Sequence, residues 1–592
     1  EDLTGGLYLD DIRLCEKGDD TNLVRQGGFE ELPVIINGYS VDVDRFKREV
    51  LSALDEAEKN NVAVDVLMSV HYFPEKLMDK EHWQSNQTGF VKHNLFDDEV
   101  QKLCEAFFSG LVPLMANHPA LSSICISNEP TYRTGLDASN TEEWHSYLRG
   151  LYGDISHANN IWHENYADFA DVPLANEYEN RAVYYDYLRF NDMMFARWHK
   201  RIAELVKELA PGVPVHSKMM SVVEQAETSG KNYPLERGTN PELFAEFCDL
   251  NGNDSWNFIG SSRNMTVKSM WYDLLTSMHN APVFNSEDHV VEDRDERYTE
   301  QYAPHFATDL WQGAIHGRSA MTMWKWARTL ETTNSTSGNI KHRPDAVALE
   351  GHTMLDLNRL AGEVAALQNT APSAAIFYSY PSRVYTKTHM NAVYKCYEAL
   401  GAMGLCAKFV TEKTVAEGAL SDMPLLIVPC VESIDSQTLS RLCEYVRGGG
   451  RIITVGNCFL YDEHKNPLGD GADYLLAAAR NIAVQVDEAG THILPEERLC
   501  DVFGEYAAPV FIVIDCETGL ALADAEWRCT EYNGTYLVNV CLFERGGRRR
   551  IKLVKNGVPA EGMTELRSGS ELPGEFYING YEPMLIKIGK GT

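Results

Sequence analysis

The sequence predicts an α/β protein built on a (β/α)8 barrel, followed by a small doubly wound αβ domain and a C-terminal β-sandwich. Three observations carry that prediction. The chain has 592 residues, more than the roughly 250–300 that a single core usually supports, so several domains are expected. Between residues 33 and 368, short apolar runs alternate with amphipathic stretches, the rhythm of βα units on a parallel sheet. After that the rhythm shortens to a second αβ block and then gives way to strands separated by Gly-rich turns.

Residues 1–32 contain strand and turn material similar to the closing strands of a carbohydrate-binding β-sandwich. Thirty residues cannot build such a sandwich, so the segment reads as a remnant or as a piece packed on a neighbour. In the barrel region, 33–368, strands are predicted at 34–37, 62–70, 122–127, 213–218, 247–252, 282–286 and 319–324. Helical patterns lie between them at 44–59, 99–116, 184–209 and 300–316. Seven strands are legible where eight are required, so the first lies in the N-terminal segment or is absent from this sequence. Residues 369–487 form the doubly wound block, with strands at 374–378, 425–428 and 451–455. Residues 488–592 read as all-β, with strands at 510–514, 535–541, 550–554 and 584–588.

Composition excludes several functions. With 53 basic and 86 acidic residues, the formal net charge is -33, which repels nucleic acid and anionic membranes and favours a neutral substrate. No apolar run approaches the ~20 residues that span a bilayer. The 13 cysteines are scattered without a CxxC pair or a zinc-like cluster, so neither a metal site nor another cofactor is predicted. They read as reduced core residues in a cytoplasmic or otherwise disulfide-free setting, and the sequence leaves cytoplasm and periplasm open. The chain begins at Glu1 without a signal-like segment, which suggests a trimmed product.

Chemistry is suggested at two strand ends. Ser122-Ser123-Ile124-Cys125-Ile126-Ser127-Asn128-Glu129-Pro130 is a buried strand that stops at a polar pair and a proline. Ala281-Pro282-Val283-Phe284-Asn285-Ser286-Glu287 is an apolar strand that also ends in a carboxylate, 158 residues further on. Barrel enzymes carry their reactive groups at the C-terminal ends of strands. Hydrolysis of a glycosidic bond with retention needs two carboxyl groups about 5–5.5 Å apart, one acid/base and one nucleophile.

The pair resembles the signature of clan A retaining glycosidases, in which Asn-Glu ends strand 4 and a second Glu ends strand 7. That resemblance makes Glu129 the acid/base and Glu287 the nucleophile, with Asn128 donating to the sugar 2-hydroxyl. Residues 147–174, with Arg189-Phe190 and Trp198, are similar to family 42 β-galactosidases. Those enzymes share the order of barrel, flavodoxin-like trimerisation domain and small sandwich, which implies a homotrimer. A family 164 type β-mannosidase has the same order. The sequence departs from family 42 in Pro130 and in lacking the four-cysteine zinc cluster.

Trp324 and Trp326 close strand 8, where clan A enzymes often keep a tryptophan beneath the sugar. His71 and Tyr72 end strand 3, and Asp254 and Trp256 close strand 6, so these four are read as substrate-binding candidates. His216 and Lys218 alternate inward from strand 5 and equally suit an ion-paired barrel layer. The flavodoxin-like block also resembles class I glutamine amidotransferases, yet Pro429 and Val431 flank Cys430 where a nucleophile elbow needs small neighbours. The reading is thus a retaining exo-β-glycosidase acting on terminal sugars of oligosaccharides, β-galactosidase ahead of β-mannosidase. An endo-acting hydrolase of a neutral galactan and an inactive carbohydrate-binding barrel are the alternatives.

Overall fold

The computed structural model describes residues 34–69, 79–88, 91–175, 178–220, 237–257, 264–291, 302–326, 339–486, 492–494 and 496–589. The reading of residues 1–32, and with it the search there for a first barrel strand, lies outside them.

The first described element corrects the sequence reading. Val34–Ile36 (β1) pairs antiparallel with Tyr39–Val41 (β2) and takes no part in the barrel sheet. Between them Asn37 and Gly38 have φ of 52° and 86°, the two positive values that a two-residue hairpin requires. The hairpin lies on the helix Asp98–Met115, where Asn37 Nδ2 donates to Lys102 O at 3.3 Å. A side chain at Gly110 of that helix would come within 2.8 Å of Val41.

The barrel sheet is assembled from Val64–Leu67 (β3), Leu121–Asn128 (β6), Val215–Met220 (β7), Asn251–Trp256 (β8), Val283–His289 (β9) and Arg318–Trp324 (β10). A side hairpin, Trp83–Thr88 (β4) and Val91–His93 (β5), intervenes in the chain. All six barrel strands are parallel and neighbours in sequence are neighbours in space. Counted back from the last, β6 is strand 4 and β9 is strand 7. The sheet is curled in the (β/α)8 manner, with the long helices Arg181–Leu209, Asn264–Met278 and Tyr302–Ile315 between strands. Strand 6 runs four residues later than predicted, over the polar segment Asn251-Gly252-Asn253-Asp254-Ser255-Trp256.

A second sheet has the parallel order Ala407–Val410 (β12), Ala374–Phe377 (β11), Leu425–Pro429 (β13), Arg451–Val455 (β14) and Arg480–Ile482 (β15). This is the 2-1-3-4-5 order of flavodoxin-like folds. Two antiparallel sheets follow in the C-terminal region, one of five strands that includes Ala525–Tyr532, Thr535–Leu542 and Met584–Gly589. Their facing apolar residues, among them Trp527, Val538 and Ile586, close a sandwich core. A buried ionic knot ties the three parts together. His316, next to the barrel helix Tyr302–Ile315, contacts Asp273 at 2.9 Å and Glu526 of the sandwich at 2.7 Å, while Tyr397 of the αβ layer donates to Asp273 at 2.7 Å.

All twelve described cysteines are free, eight of them buried. No helix among the described residues is long and apolar enough to cross a membrane.

Candidate active site

The C-terminal ends of the barrel strands surround a cavity of about 660 Å³, within the range of small-ligand sites. Asn128, Glu129, Lys218, Asp254, Trp256, Glu287, His289 and Trp324 form its walls. Strand register dictates this meeting. Asn128 lies opposite Lys218, Asp254 opposite Glu287, and His289 opposite Trp324 on adjacent parallel strands. Six sequence positions spread over nearly two hundred residues are thereby brought to one rim.

Glu129 sits just beyond strand β6 with φ of 44°, a left-handed backbone that costs of order 1–3 kcal/mol in a residue with a side chain. The neighbouring strand holds it there, for its N–H donates to Lys218 O at 2.9 Å. Asn128 N–H donates to Ser69 Oγ at 2.9 Å. Burial, reinforced by the charge of Glu287, raises the pKa of the Glu129 carboxyl above the glutamate range.

Glu287 is treated oppositely. Burial pushes its carboxyl up, but the hydrogen bond from His289 and the charge of Lys218 outweigh that and hold it below the glutamate range. His289 Nε2 meets Glu287 Oε1 at 3.1 Å, and Lys218 Nζ donates to Glu287 Oε2. One carboxyl of the rim thus holds its proton more tightly than an ordinary glutamate and the other less tightly, the direction of difference that an acid and a nucleophile need. One strand residue on, Asp288 faces the helix layer and is enclosed by Lys268 and Arg318, which also bind Asp309 at 2.9 and 3.0 Å.

The family model described as Glyco_hydro_42, β-galactosidase, matches residues 68–342. The chain is a glycoside hydrolase resembling family 42. An apo exo-carrageenase of family 42 from Bacteroides ovatus superposes with a TM-score of 0.74 at 18% identity, over 92% of this chain and 77% of that one. A catalytic mutant of Gan42B, a family 42 β-galactosidase from G. stearothermophilus, gives 0.73 at 15% identity, over 92% and 90%. A β-galactosidase from Bacillus circulans sp. alkalophilus gives 0.73 at 13%, over 93% and 92%. At such identities the likeness is one of fold. No curated protein sequence matches the chain.

In this glycoside hydrolase the cavity gathers six of the nine residues singled out in the sequence: Asn128, Glu129, Asp254, Trp256, Glu287 and Trp324. Trp324 faces His289 with ring centroids 5.8 Å apart. Trp326 is 53% exposed and does not line the cavity. His71 and Tyr72 lie outside the described residues. Lys218 belongs to the site rather than to a barrel layer, while His216 beneath it does pair inward, with Asp65 at 3.0 Å. His289 carried no separate signal in the sequence; its place two residues beyond Glu287 on one strand face was the available clue.

Cys430 corrects the argument from its neighbours. Despite Pro429 and Val431 it adopts φ of 47° at the end of β13, the strained turn that elbows use. The thiol is nevertheless unactivated: burial pushes it up to about 12. His389 nearby has both ring nitrogens engaged with backbone, at Pro429 O and Ser379 N.

Proposed function

We propose that the chain is a retaining exo-β-glycosidase, β-galactosidase first, that works through a covalent glycosyl-enzyme. The observation that carries this reading is the meeting of two carboxyls on one cavity rim at the ends of strands 4 and 7, with the pKa of Glu129 raised and that of Glu287 lowered. In the first step Glu287 attacks the anomeric carbon while Glu129 gives its proton to the departing glycosidic oxygen. The C–O bond to the leaving group breaks as the ester to Glu287 forms. In the second step Glu129, now a carboxylate, takes a proton from water, whose oxygen displaces Glu287 and restores the starting enzyme. Lys218 and His289 keep Glu287 ionised and oriented before attack. Asn128 serves the 2-hydroxyl, and the indoles of Trp324 and Trp256 supply apolar platforms for the sugar faces. A homotrimer is proposed from the family resemblance.

The test is a panel of nitrophenyl β-galactoside, β-mannoside, β-glucoside and β-fucoside, with carrageenan oligosaccharides added because one fold neighbour is an exo-carrageenase. Galactoside turnover with retained product configuration supports the reading; turnover of mannoside alone makes the chain a β-mannosidase. The Glu287→Ala variant should be inactive and should recover with azide to give inverted glycosyl azide. An active Glu287→Ala enzyme would reject the assignment.

A further inference from the structure

The cavity holds a third carboxyl that neither step uses. Asp254 is 2% exposed and stands in register with Glu287 on the adjacent strand. Its Oδ1 is buried and makes no hydrogen bond among the described residues. The nearest cationic partner, His289 Nε2, is 3.7 Å away, too far for a hydrogen bond, and is already committed to Glu287 at 3.1 Å. A buried carboxylate left this way would be costly. It would also stand among Glu287 on β9, Glu129 after β6 and, behind the strand, Asp288, with Lys218 on β7 the compensating charge and itself bound to Glu287.

We propose that Asp254 is a specificity-determining residue of this site, a neutral carboxylic acid whose O–H donates to a hydroxyl oxygen of the sugar held between Glu129 and Glu287. A neutral acid resolves each difficulty. It adds no third negative charge to the rim, and because Asp254 lines the cavity a bound sugar can supply the acceptor for its O–H. Burial first, then the charges of Glu287 and Glu129, push the Asp254 carboxyl up to about 9, which keeps the proton in place through the neutral range. The ligand class follows: a glycone that turns a hydroxyl toward strand 6. A sugar lacking that hydroxyl leaves the acid unpaired and is rejected.

The inference rests on the glycosidase reading, and two measurements separate the two. The first compares wild type, Asp254→Asn and Asp254→Ala on the 2,4-dinitrophenyl glycoside of the sugar that the panel selects, a leaving group that needs no proton from Glu129. Asn keeps a donor in the same place, so kcat/KM should stay within about threefold of wild type, while Ala should lose roughly 10- to 100-fold. In wild type kcat/KM should decline above about pH 9, and that decline should be absent in Asp254→Asn. Equal losses in both variants, no loss in either, or an alkaline decline that survives in Asp254→Asn would overturn the proposal.

The second measurement needs no activity. The folded pKa lies above the unfolded one, so wild type takes up a proton on folding and loses stability as pH rises from the ordinary aspartate range toward about 9. The Tm advantage of Asp254→Asn over wild type should therefore grow from about pH 5 to about pH 8. A difference that is flat with pH overturns the neutral acid. If instead the panel finds no substrate, the glycosidase reading fails while the melting curves still decide the state of Asp254.

Discussion

Glu287 and Asp288 are adjacent on one strand, and the two faces of that strand treat a buried carboxylate in contrasting ways. On the outer face Asp288 and Asp309 are matched by Lys268 and Arg318, each cation bridging both acids. On the inner face Glu287, Glu129 and Asp254 share Lys218 and His289, which both bind Glu287. The outer cluster is closed, whereas the inner one sets three acids against two cations and leaves Asp254 Oδ1 without a partner among the described residues. The lesson is that full compensation anchors a strand, whereas incomplete compensation leaves groups able to move protons and bind a ligand.

The largest expected effect would break that contrast outright. Glu287→Gln should cut turnover on the order of 10⁴-fold or more while leaving thermal unfolding near wild type. Glu129→Ala should lose roughly 10²- to 10⁴-fold on a glycoside with a poor leaving group and far less on a dinitrophenyl glycoside. Equal losses on both would argue against an acid role. Arg318→Met should act in the reverse sense, since it strands negative charge in the outer cluster. It should cost about 3–5 kcal/mol in urea unfolding, and a variant that is stable but inactive would mean that the outer face takes part in chemistry.

Lys218→Met is the finest probe. Glu287 must be ionised, and the nearby ammonium helps hold its pKa down. Its loss should raise that pKa, so the acid limb of kcat/KM moves to higher pH and the loss of activity is larger at acid than at neutral pH. An unmoved acid limb would show that His289 alone sets the charge of Glu287.

Each of the two carboxylates ends an apolar run, a local pattern visible in the sequence, but it is the pair of them, matched to the clan A signature, that singles them out. The rest of the site depended on register. Lys218 looked the same as a barrel-layer lysine until strand β7 was set against Asn128 on one side and carried its ammonium to Glu287. Strand β8 was displaced in the reading because Asn251-Gly252-Asn253-Asp254 has the composition of a turn. Its polar groups are used inside the fold: Asn251 Nδ2 donates to the carbonyls of His279 and Ala281, and Asp254 reaches the cavity. Val34–Ile36 erred the other way. Its apolar run looks like any barrel strand, and the deciding signal was the Asn37-Gly38 pair that follows. The flavodoxin-like order was legible in outline, but its edge strands Ala407–Val410 and Arg480–Ile482 are too short to stand out without the sheet around them.

The most direct test of the central claim is to trap the intermediate. A dinitrophenyl 2-deoxy-2-fluoro-β-glycoside of the preferred sugar should inactivate the enzyme with one glycosyl unit added by intact mass, and peptide mapping should place it on Glu287. A label on another residue, or turnover with inversion and no labelling, would contradict the account.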